Sequence, residues 1–237
     1  MVRAALLAGL LGTACTVSTA DTSGPACPAY SGFAAEASWI WSTSAAVEED
    51  YGYYASETGD LAWLNDDGSE VQLTILGDID DDAFEYSFID TVERWACDDD
   101  GARLVSRRVD TVSKPVDGEE VSWYSELTVE SGGVYVPSSL VDGTVWTTTI
   151  TGTLDADGQV EEASTTEEFL AQELDDFSTW FGDYPALRVQ ILADDGTQQD
   201  HAWWHTDMGR LADRWVSLED YRVHEVGDTG DTGDTGL

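Results

Sequence analysis

Positive charge is scarce in this sequence. Its 237 residues include 10 lysines and arginines, of which Lys114 is the one lysine, against 48 aspartates and glutamates. The resulting formal net charge of −38 repels the phosphates of nucleic acids and the headgroups of anionic lipids. We therefore exclude nucleic acid as a partner and predict a solvated, acidic surface.

The apolar run at the start of the chain is too short to span a bilayer. It covers residues 4–11 and follows a single arginine, an arrangement typical of an export signal. Residues 1–20 are therefore interpreted as a signal peptide. Cys15 ends a lipobox-like sequence and is the predicted lipidation site, with Leu11 one position earlier than the aliphatic residue of a usual lipobox. Cleavage after Ala20, without a lipid anchor, is the alternative.

Cysteine is rare as well, and one of the three cysteines is Cys15. The other two, Cys27 and Cys97, form an even pair in a chain that the signal peptide directs to an oxidising compartment. This combination predicts a disulfide between them. In the chain-entropy description, a bridge that closes a loop of this length contributes about 4 kcal/mol to stability.

The sequence divides into a tether, a folded region and a tail. Residues 21–36 are small and polar, which predicts a flexible tether. Residues 226–237 repeat Asp-Thr-Gly and predict a disordered acidic tail. The folded region therefore begins near Ala37 and ends near residue 225.

The folded region has the composition of an antiparallel β protein. Val, Ile, Thr, Tyr and Trp are frequent, and six Asp-Gly pairs supply the residues that tight hairpin turns require. Apolar and polar residues alternate, as in 71–75 and on the apolar face formed by Phe84, Tyr86 and Phe88, which predicts half-buried strands. The predicted fold class is all-β, an antiparallel meander. For residues 164–180 two conformations remain open, a short helix or two irregular strands. The helix is considered because the apolar residues of this segment have helical spacing.

Two stretches of the chain resemble each other. Trp95 and Trp203, 108 residues apart, each precede an acidic turn with glycine and then an Arg-Leu pair that opens a new strand. Trp41 and Trp146 are separated by a similar distance, 105 residues. The near-constant spacing predicts an internal duplication.

The duplication predicts a protein of two similar halves. Residues 37–130 form the first β repeat in this interpretation, and residues 131–225 form the second. Two curved meanders bury their apolar faces by packing as a sandwich or as a pair of half-barrels. An apolar cleft between the halves would then be available to a ligand.

Residues 134–222 carry a resemblance to a known family. The matching residues are, in chain order, Pro137, Leu140, Gly143, Trp146, Gly182-Asp183-Tyr184-Pro185-Ala186, Trp203-Trp204, Met208-Gly209, Leu218 and Tyr221. Their order is similar to that in a family of uncharacterised bacterial envelope lipoproteins, in which a Pro-x-x-Leu-x-x-Gly-x-x-Trp strand precedes a Gly-Thr-Phe turn. Asp183-Tyr184 stands in place of the Thr-Phe of that turn. The resemblance implies an all-β envelope domain and supplies no catalytic residue.

The ten tryptophans are the main candidates for ligand contacts. Large aromatic side chains fill a β core, line a cavity for a lipophilic ligand or, when exposed, stack on sugar rings. Trp39 and Trp41 share a face, whereas the adjacent Trp203 and Trp204 must point to opposite faces of a strand. The candidate ligand-binding residues are Trp39, Trp41, Trp146, Trp203 and Trp204.

Metal and catalytic motifs are weak. His201 and His205 have the spacing of a zinc pair on a helix, but a strand places such residues about 13 Å apart. The acidic clusters that begin at Asp78, Asp98 and Asp155 do not match an EF-hand loop, so we predict solvated turns, with weak calcium binding as the alternative. The sequence assigns no metal ligand, cofactor or catalytic residue.

These observations predict an exported, lipid-anchored protein of the bacterial cell envelope that faces the periplasm or the exterior. Its expected partners are the membrane, through the anchor, and a small lipophilic ligand or a glycan. We expect a non-catalytic binding or structural module. A carbohydrate-binding surface of exposed tryptophans and a secreted hydrolase are the alternatives.

Overall fold

The computed structural model describes residues 27–33, 35–43, 54–192, 198–213 and 216–224. Within these ranges the chain is almost entirely β-strand, apart from turns and one turn of 3₁₀ helix at Ala29–Ser31, so the predicted all-β class is confirmed. Among the described residues, no helix is long and apolar enough to cross a membrane. The strands are β1 Ala37–Thr43, β2 Tyr54–Trp63, β3 Glu70–Asp80, β4 Phe84–Asp98, β5 Gly101–Pro115, β6 Val121–Gly132, β7 Val136–Pro137, β8 Val145–Ala156, β9 Gln159–Ser178, β10 Asp183–Leu192, β11 Gln198–His205, β12 Gly209–Ala212 and β13 Val216–Val223.

The strands form one antiparallel sheet that closes on itself as a 12-stranded barrel. Each long strand pairs with the next along the chain, and β13 pairs with β1 to complete the circle. The short β7 continues the β5 ladder where β6 has ended, by pairing Val136 with Ala102. The five described Asp-Gly pairs all lie in turns between strands, as predicted, and the sixth lies outside the described residues.

The predicted sandwich or pair of half-barrels is wrong. The strand ladder continues from β6 to β8, across the boundary expected between residues 130 and 131, and it also continues from β13 to β1. Two separate halves would leave unpaired edge strands, whereas closure pairs every long strand on both sides. The apolar space therefore lies inside one barrel and not between two halves.

The internal duplication stays a prediction. Trp41 and Trp146 lie on β1 and β8, and Trp95 and Trp203 lie near the ends of β4 and β11, each before a hairpin. Trp95 is buried inside the barrel, whereas the side chain of Trp203 lies on the outer face.

The segment 164–180, left open between a helix and two strands, lies mostly in the single long strand β9. Its neighbours decide the conformation, because β9 pairs with β8 along one side and with β10 along the other. Phe169 and Ala171 are buried on the inner face, while Phe177 packs on Trp203 outside. Pairing on both sides overrides the helical spacing of the apolar residues.

The aromatic face expected inside β4 is divided, because Tyr86 and Phe88 are turned outward, whereas Phe84, which precedes an irregularity in the pairing with β5, lines a cavity inside the barrel. Ser87 is buried and shares a hydrogen bond with Ser113, whereas Phe88 is 43% exposed and stacks on Tyr86. Because strand side chains alternate strictly, burial of Trp95 farther along the same strand fixes the odd-numbered residues from 87 onward on the inner face. The local alternation predicted the strand correctly and its orientation wrongly.

One end of the barrel, the closed end, is covered by the N-terminal segment 27–33. Cys27 and Cys97 are joined by the predicted disulfide, with a Cα–Cα distance of 4.8 Å, which ties this segment to the end of β4. Gly32 and Gly209 both have positive φ, and their backbones touch so closely that a Cβ on either would lie 2.9 Å from the other's Cα. Residues 27–33, assigned to the tether from sequence, therefore lie against the barrel with Cys27 and Phe33 buried.

The strand β12 pairs with β11 through three residue pairs, but on its other side it depends on side chains. It pairs with β13 through one described residue pair, Ala212 with Ser217. The indole N–H groups of Trp39 and Trp41 reach across from β1 and donate to the carbonyl oxygens of Met208 and Arg210, at 2.8 and 3.1 Å. We call these two hydrogen bonds the indole clasp.

Replacing Cys27 and Cys97 together by alanine should lower the free energy of unfolding by about 4 kcal/mol, because the bridge closes a loop of 70 residues. Urea unfolding of the purified protein measures the change. Reductant should weaken the unaltered protein by the same amount and leave the double variant unaffected. Equal midpoints for the two proteins would contradict the expected contribution.

Gly59→Ala should disturb the indole clasp, because a Cβ at Gly59 would lie 2.6 Å from Cζ3 of Trp41. Overpacking of this kind costs about 1–3 kcal/mol. Trp41→Phe removes the colliding atoms, so the two substitutions together should cost less than the sum of their separate costs. Unfolding curves of the four proteins give the coupling, and simple additivity would show that the ring moves aside without cost.

Candidate functional site

The described residues enclose cavities in the barrel interior, three of which share wall residues. The floor cavity, of about 210 Å³, lies next to the closed end and is lined by aromatic side chains. The upper cavity, of about 760 Å³, lies toward the opposite end of the barrel. A side cavity of about 190 Å³ lies between β5, β6, β8 and β9. Arg107 lines all three cavities.

The walls of the floor cavity include three of the five predicted tryptophans. Trp39 and Trp41 are buried and stacked, with ring centroids 5.8 Å apart and planes 9° apart. Trp204 lines the same cavity from β11, and Trp95 and Phe33 complete much of the aromatic wall. A concave aromatic lining of this kind is typical of sites for apolar ligands.

The other two predicted tryptophans lie away from the floor cavity. Trp203 points to the outer face, as the alternation with Trp204 requires, and is covered there by Phe177 at a centroid distance of 4.6 Å. Trp146 stacks on Phe169 and donates its indole N–H to the carbonyl of Tyr135. Trp203 therefore packs the outer surface, and Trp146 supports a wall residue from behind.

Aromatic contacts link Trp146 to the floor cavity. The ring of Phe169 packs edge-on against Tyr135 at 5.3 Å, and Tyr135 in turn packs against Trp95 at 5.6 Å. Trp95 contacts Phe33 of the N-terminal segment. The closed end is thus a continuous aromatic layer that extends from β8 to the N-terminal segment.

A layer of charged side chains lies above the aromatic floor. Arg210 forms ion pairs with Glu57 and Asp213, and its guanidinium lies 4.2 Å from the ring centroid of Trp41. Burial lowers the pKa of Arg210, but the carboxylates of Glu57 and Asp213 more than offset this effect and raise the pKa overall. Arg210 is therefore a fixed positive charge that stacks on the tryptophan of the indole clasp.

The second arginine of this charged layer has a different environment. The Nε of Arg107 donates to Oε1 of Glu93 at 2.7 Å, and the indole N–H of Trp95 donates to Oε2 of the same carboxylate at 3.0 Å. Glu93 is 8% exposed and has a partner on each oxygen. Neither terminal nitrogen of Arg107 has a protein hydrogen-bond partner among the described residues.

Tyr135 lies between the charged layer and the side cavity. Its hydroxyl donates to Oε2 of Glu167 at 3.0 Å. Burial raises the pKa of Tyr135, and the negative charge of Glu167 raises it further. The phenol therefore stays protonated at neutral pH and acts as a hydrogen-bond donor.

The upper cavity has a mixed lining. Apolar side chains such as Ile79 and Val109 alternate with the hydroxyl groups of Ser87 and Thr91. Ile75, Glu93, Arg107 and Arg210 line both the upper and the floor cavity, so the two volumes adjoin at the charged layer. Together they form a lumen with an aromatic base, a charged middle and a mixed upper part.

Sequence reasoning missed the charged members of this site. The sequence contains dozens of acidic residues and several arginines that lie on the outside of the barrel. Residue type alone therefore does not single out the four charged residues of the site, which are Glu57, Glu93, Arg107 and Arg210. The alternation of each strand held a partial signal, because Glu93 has the same parity as buried Trp95, and Arg107 has the same parity as Val109. Only the closed barrel brings strands β2, β4, β5 and β12 to one layer.

The candidate metal positions remain separate. His201 and His205 lie on strand β11, and the nitrogen Nδ1 of His205 accepts a hydrogen bond from the backbone of Asp207. Burial lowers the pKa of His205, partly opposed by the charge of Asp207. Within the described residues, no group of three or more potential ligands is arranged to hold a metal ion.

The acidic clusters stabilise turns. Asp98 accepts hydrogen bonds from the backbone of Asp100 and Gly101, and the Arg103 side chain, which donates to it, lowers the pKa of Asp98. Asp155 accepts from the backbone of Gly158 in the turn between β8 and β9. Of the remaining predicted site residues, Cys15 lies outside the described residues.

Comparison with known proteins adds no relative. No family model matches the chain, and neither a curated protein nor a solved structure does. The resemblance of residues 134–222 to envelope lipoproteins therefore stays a prediction from the sequence, and the functional argument depends on the cavity.

Proposed function

We propose that this protein is an exported, lipid-anchored envelope protein that binds a small lipophilic ligand inside its barrel and has no catalytic role. The observation that carries the proposal is the lumen, in which an aromatic floor adjoins a larger cavity of mixed polarity. A volume of this size suits a small organic molecule. The signal peptide and Cys15 support the location and the anchor.

The position of the tryptophans favours an enclosed ligand over a carbohydrate on the surface. Sugar-binding platforms require aromatic faces that are open to solvent. Trp39 and Trp41, the one closely parallel tryptophan pair among the described residues, are 4% and 2% exposed. Trp123 and Trp180 are exposed, but they lie on different parts of the barrel, on β6 and in the turn after β9.

The hydrolase alternative requires a pair of carboxylates free to take different roles. Glu57 and Glu93 line the upper cavity, but each is paired with an arginine. Glu93 also accepts the indole N–H of Trp95. These contacts favour a structural role for both carboxylates.

Native mass spectrometry of the protein purified from its own cells tests ligand binding. We expect a non-covalently retained small molecule in the unaltered protein. Thr91→Trp should purify without it, because Thr91 faces the upper cavity and the larger ring fills that space. Thr74→Trp, on the outer face of the neighbouring strand, is the matched control and should retain the molecule.

Retention of the same molecule by both tryptophan variants would place it elsewhere on the protein. A mass equal to that of the bare polypeptide in every sample would contradict the proposed binding function.

Cell fractionation with Cys15→Ser tests the anchor. The unaltered protein should sediment with membranes and carry acyl mass on Cys15, whereas the variant should be exported in soluble form. A mature protein that begins at Asp21 would instead indicate ordinary cleavage after Ala20. That result would remove the anchor from the proposal and leave export in place.

A further inference from the structure

The polar groups around the floor cavity differ in whether their hydrogen bonds are already made. Both oxygens of Glu93 accept hydrogen bonds, and the carboxylates of Glu57 and Glu167 have partners too. The terminal nitrogens of Arg107, in contrast, have no protein partner in the part of the chain that the structure describes, and 40% of this side chain is accessible. The floor cavity therefore offers a ligand hydrogen-bond donors.

The guanidinium of Arg107 is held in a fixed position. Its Nε donates to Glu93, which also accepts from the indole of Trp95, and the Arg107 side chain lines the lumen while its terminal nitrogens have no protein partner among the described residues. A donor that is already oriented costs little entropy when a ligand binds. An oxygen of the ligand that meets this edge receives charge-assisted hydrogen bonds.

The surrounding charge selects between a neutral and an anionic oxygen. The carboxylates of Glu57, Glu93 and Asp213 lie in this layer with the guanidinium groups of Arg107 and Arg210, and the carboxylate of Glu167 lies next to it on the side cavity. These four carboxylates and two guanidiniums of the described residues sum to a formal charge of −2, inside a protein whose own net charge is −38. A ligand carboxylate would meet like charge, whereas a carbonyl oxygen would gain the hydrogen bonds without that repulsion.

The floor fixes the shape of the apolar part. Trp39, Trp41, Trp95 and Trp204 line a volume of about 210 Å³, which has room for a fused two-ring system. Flat rings gain most from aromatic walls, because offset stacking and edge contacts add to the burial of apolar area.

We propose that the lumen binds a flat, neutral, apolar molecule whose carbonyl oxygen accepts hydrogen bonds from the terminal nitrogens of Arg107, with its ring system on the tryptophan floor. This inference rests on the proposed function and names the chemical class of the ligand. A carboxylate or a cation on the same ring system is disfavoured, the first by the charge of the layer and the second by the donor edge of Arg107.

Titration calorimetry with four naphthalenes tests the proposal. The probes are 2-acetylnaphthalene, its apolar isostere 2-isopropylnaphthalene, 2-naphthoate and 2-naphthylmethylammonium. We expect the ketone to bind at least about tenfold more tightly than the other three, because its oxygen would accept a hydrogen bond from the charged guanidinium of Arg107.

Variants assign that preference to one side chain. Arg107→Met combined with Glu93→Gln removes both charges together and keeps an acceptor for the indole of Trp95, so no buried charge is left unpaired. This double variant should bind the ketone and the isostere equally. Arg108→Met is the matched control, because Arg108 is the next residue on the strand, points outward and pairs with Asp110 and Glu126. It should keep the full preference for the ketone.

The outcomes separate the two proposals. Equal binding of all four probes, or tightest binding of either charged probe, 2-naphthoate or 2-naphthylmethylammonium, would overturn the neutral-carbonyl ligand while leaving an enclosed lipophilic ligand in place. A preference for the ketone that survives in the double variant would overturn the role of Arg107. Absence of binding by every probe would overturn the inference, whereas the proposed function fails only if native mass spectrometry finds no retained molecule.

Discussion

The indole clasp at β12 is the interaction on which the closed barrel depends. A β-barrel is stable because closure leaves no unpaired edge, yet β12 and β13 share one described residue pair. Buried carbonyls without partners each cost about 1–3 kcal/mol, and the indoles of Trp39 and Trp41 supply partners for two of them. The hydroxyl of Tyr221 donates to a third carbonyl, that of Asp207. Side chains thus complete a ladder that the backbone leaves unfinished.

The same tryptophans connect the closure of the barrel to the chemistry of its lumen. Trp41 donates to the backbone of Arg210 and also stacks beneath the guanidinium of that residue. Gly59 makes room for the ring, because any side chain there would collide with it. The position of the charged layer is therefore set by the residues that hold the sheet together. Partly buried ion pairs contribute little net stability, because desolvation offsets attraction, so we assign those of Arg210 the role of fixing the geometry of the layer.

Much of the fold could be predicted from the sequence, because alternation, β-branched residues and Asp-Gly turns act over short distances. The disulfide could also be predicted, since the predicted signal peptide accounts for Cys15 and leaves Cys27 and Cys97 to pair. Closure into a barrel was not, because nothing local in β1 or β13 shows that the first and last strands meet. The outward orientation of Phe88 could not be predicted for a similar reason: burial of Trp95, several residues away, decides the orientation of the strand.

For the site, the sequence indicated tryptophans as a class of candidate residues. It did not indicate the paired charges, because these depend on four strands meeting in one layer.

The disulfide also limits the position of the protein relative to a membrane. Eleven residues lie between Cys15 and Cys27, and a chain of that length reaches at most about 40 Å. If Cys15 carries a lipid, the length of this segment keeps the end of the barrel that bears Cys27 and Cys97 near the bilayer surface. The larger part of the lumen lies at the opposite end of the barrel, so the anchor would leave that end free for exchange of ligand with the aqueous compartment or with a facing partner.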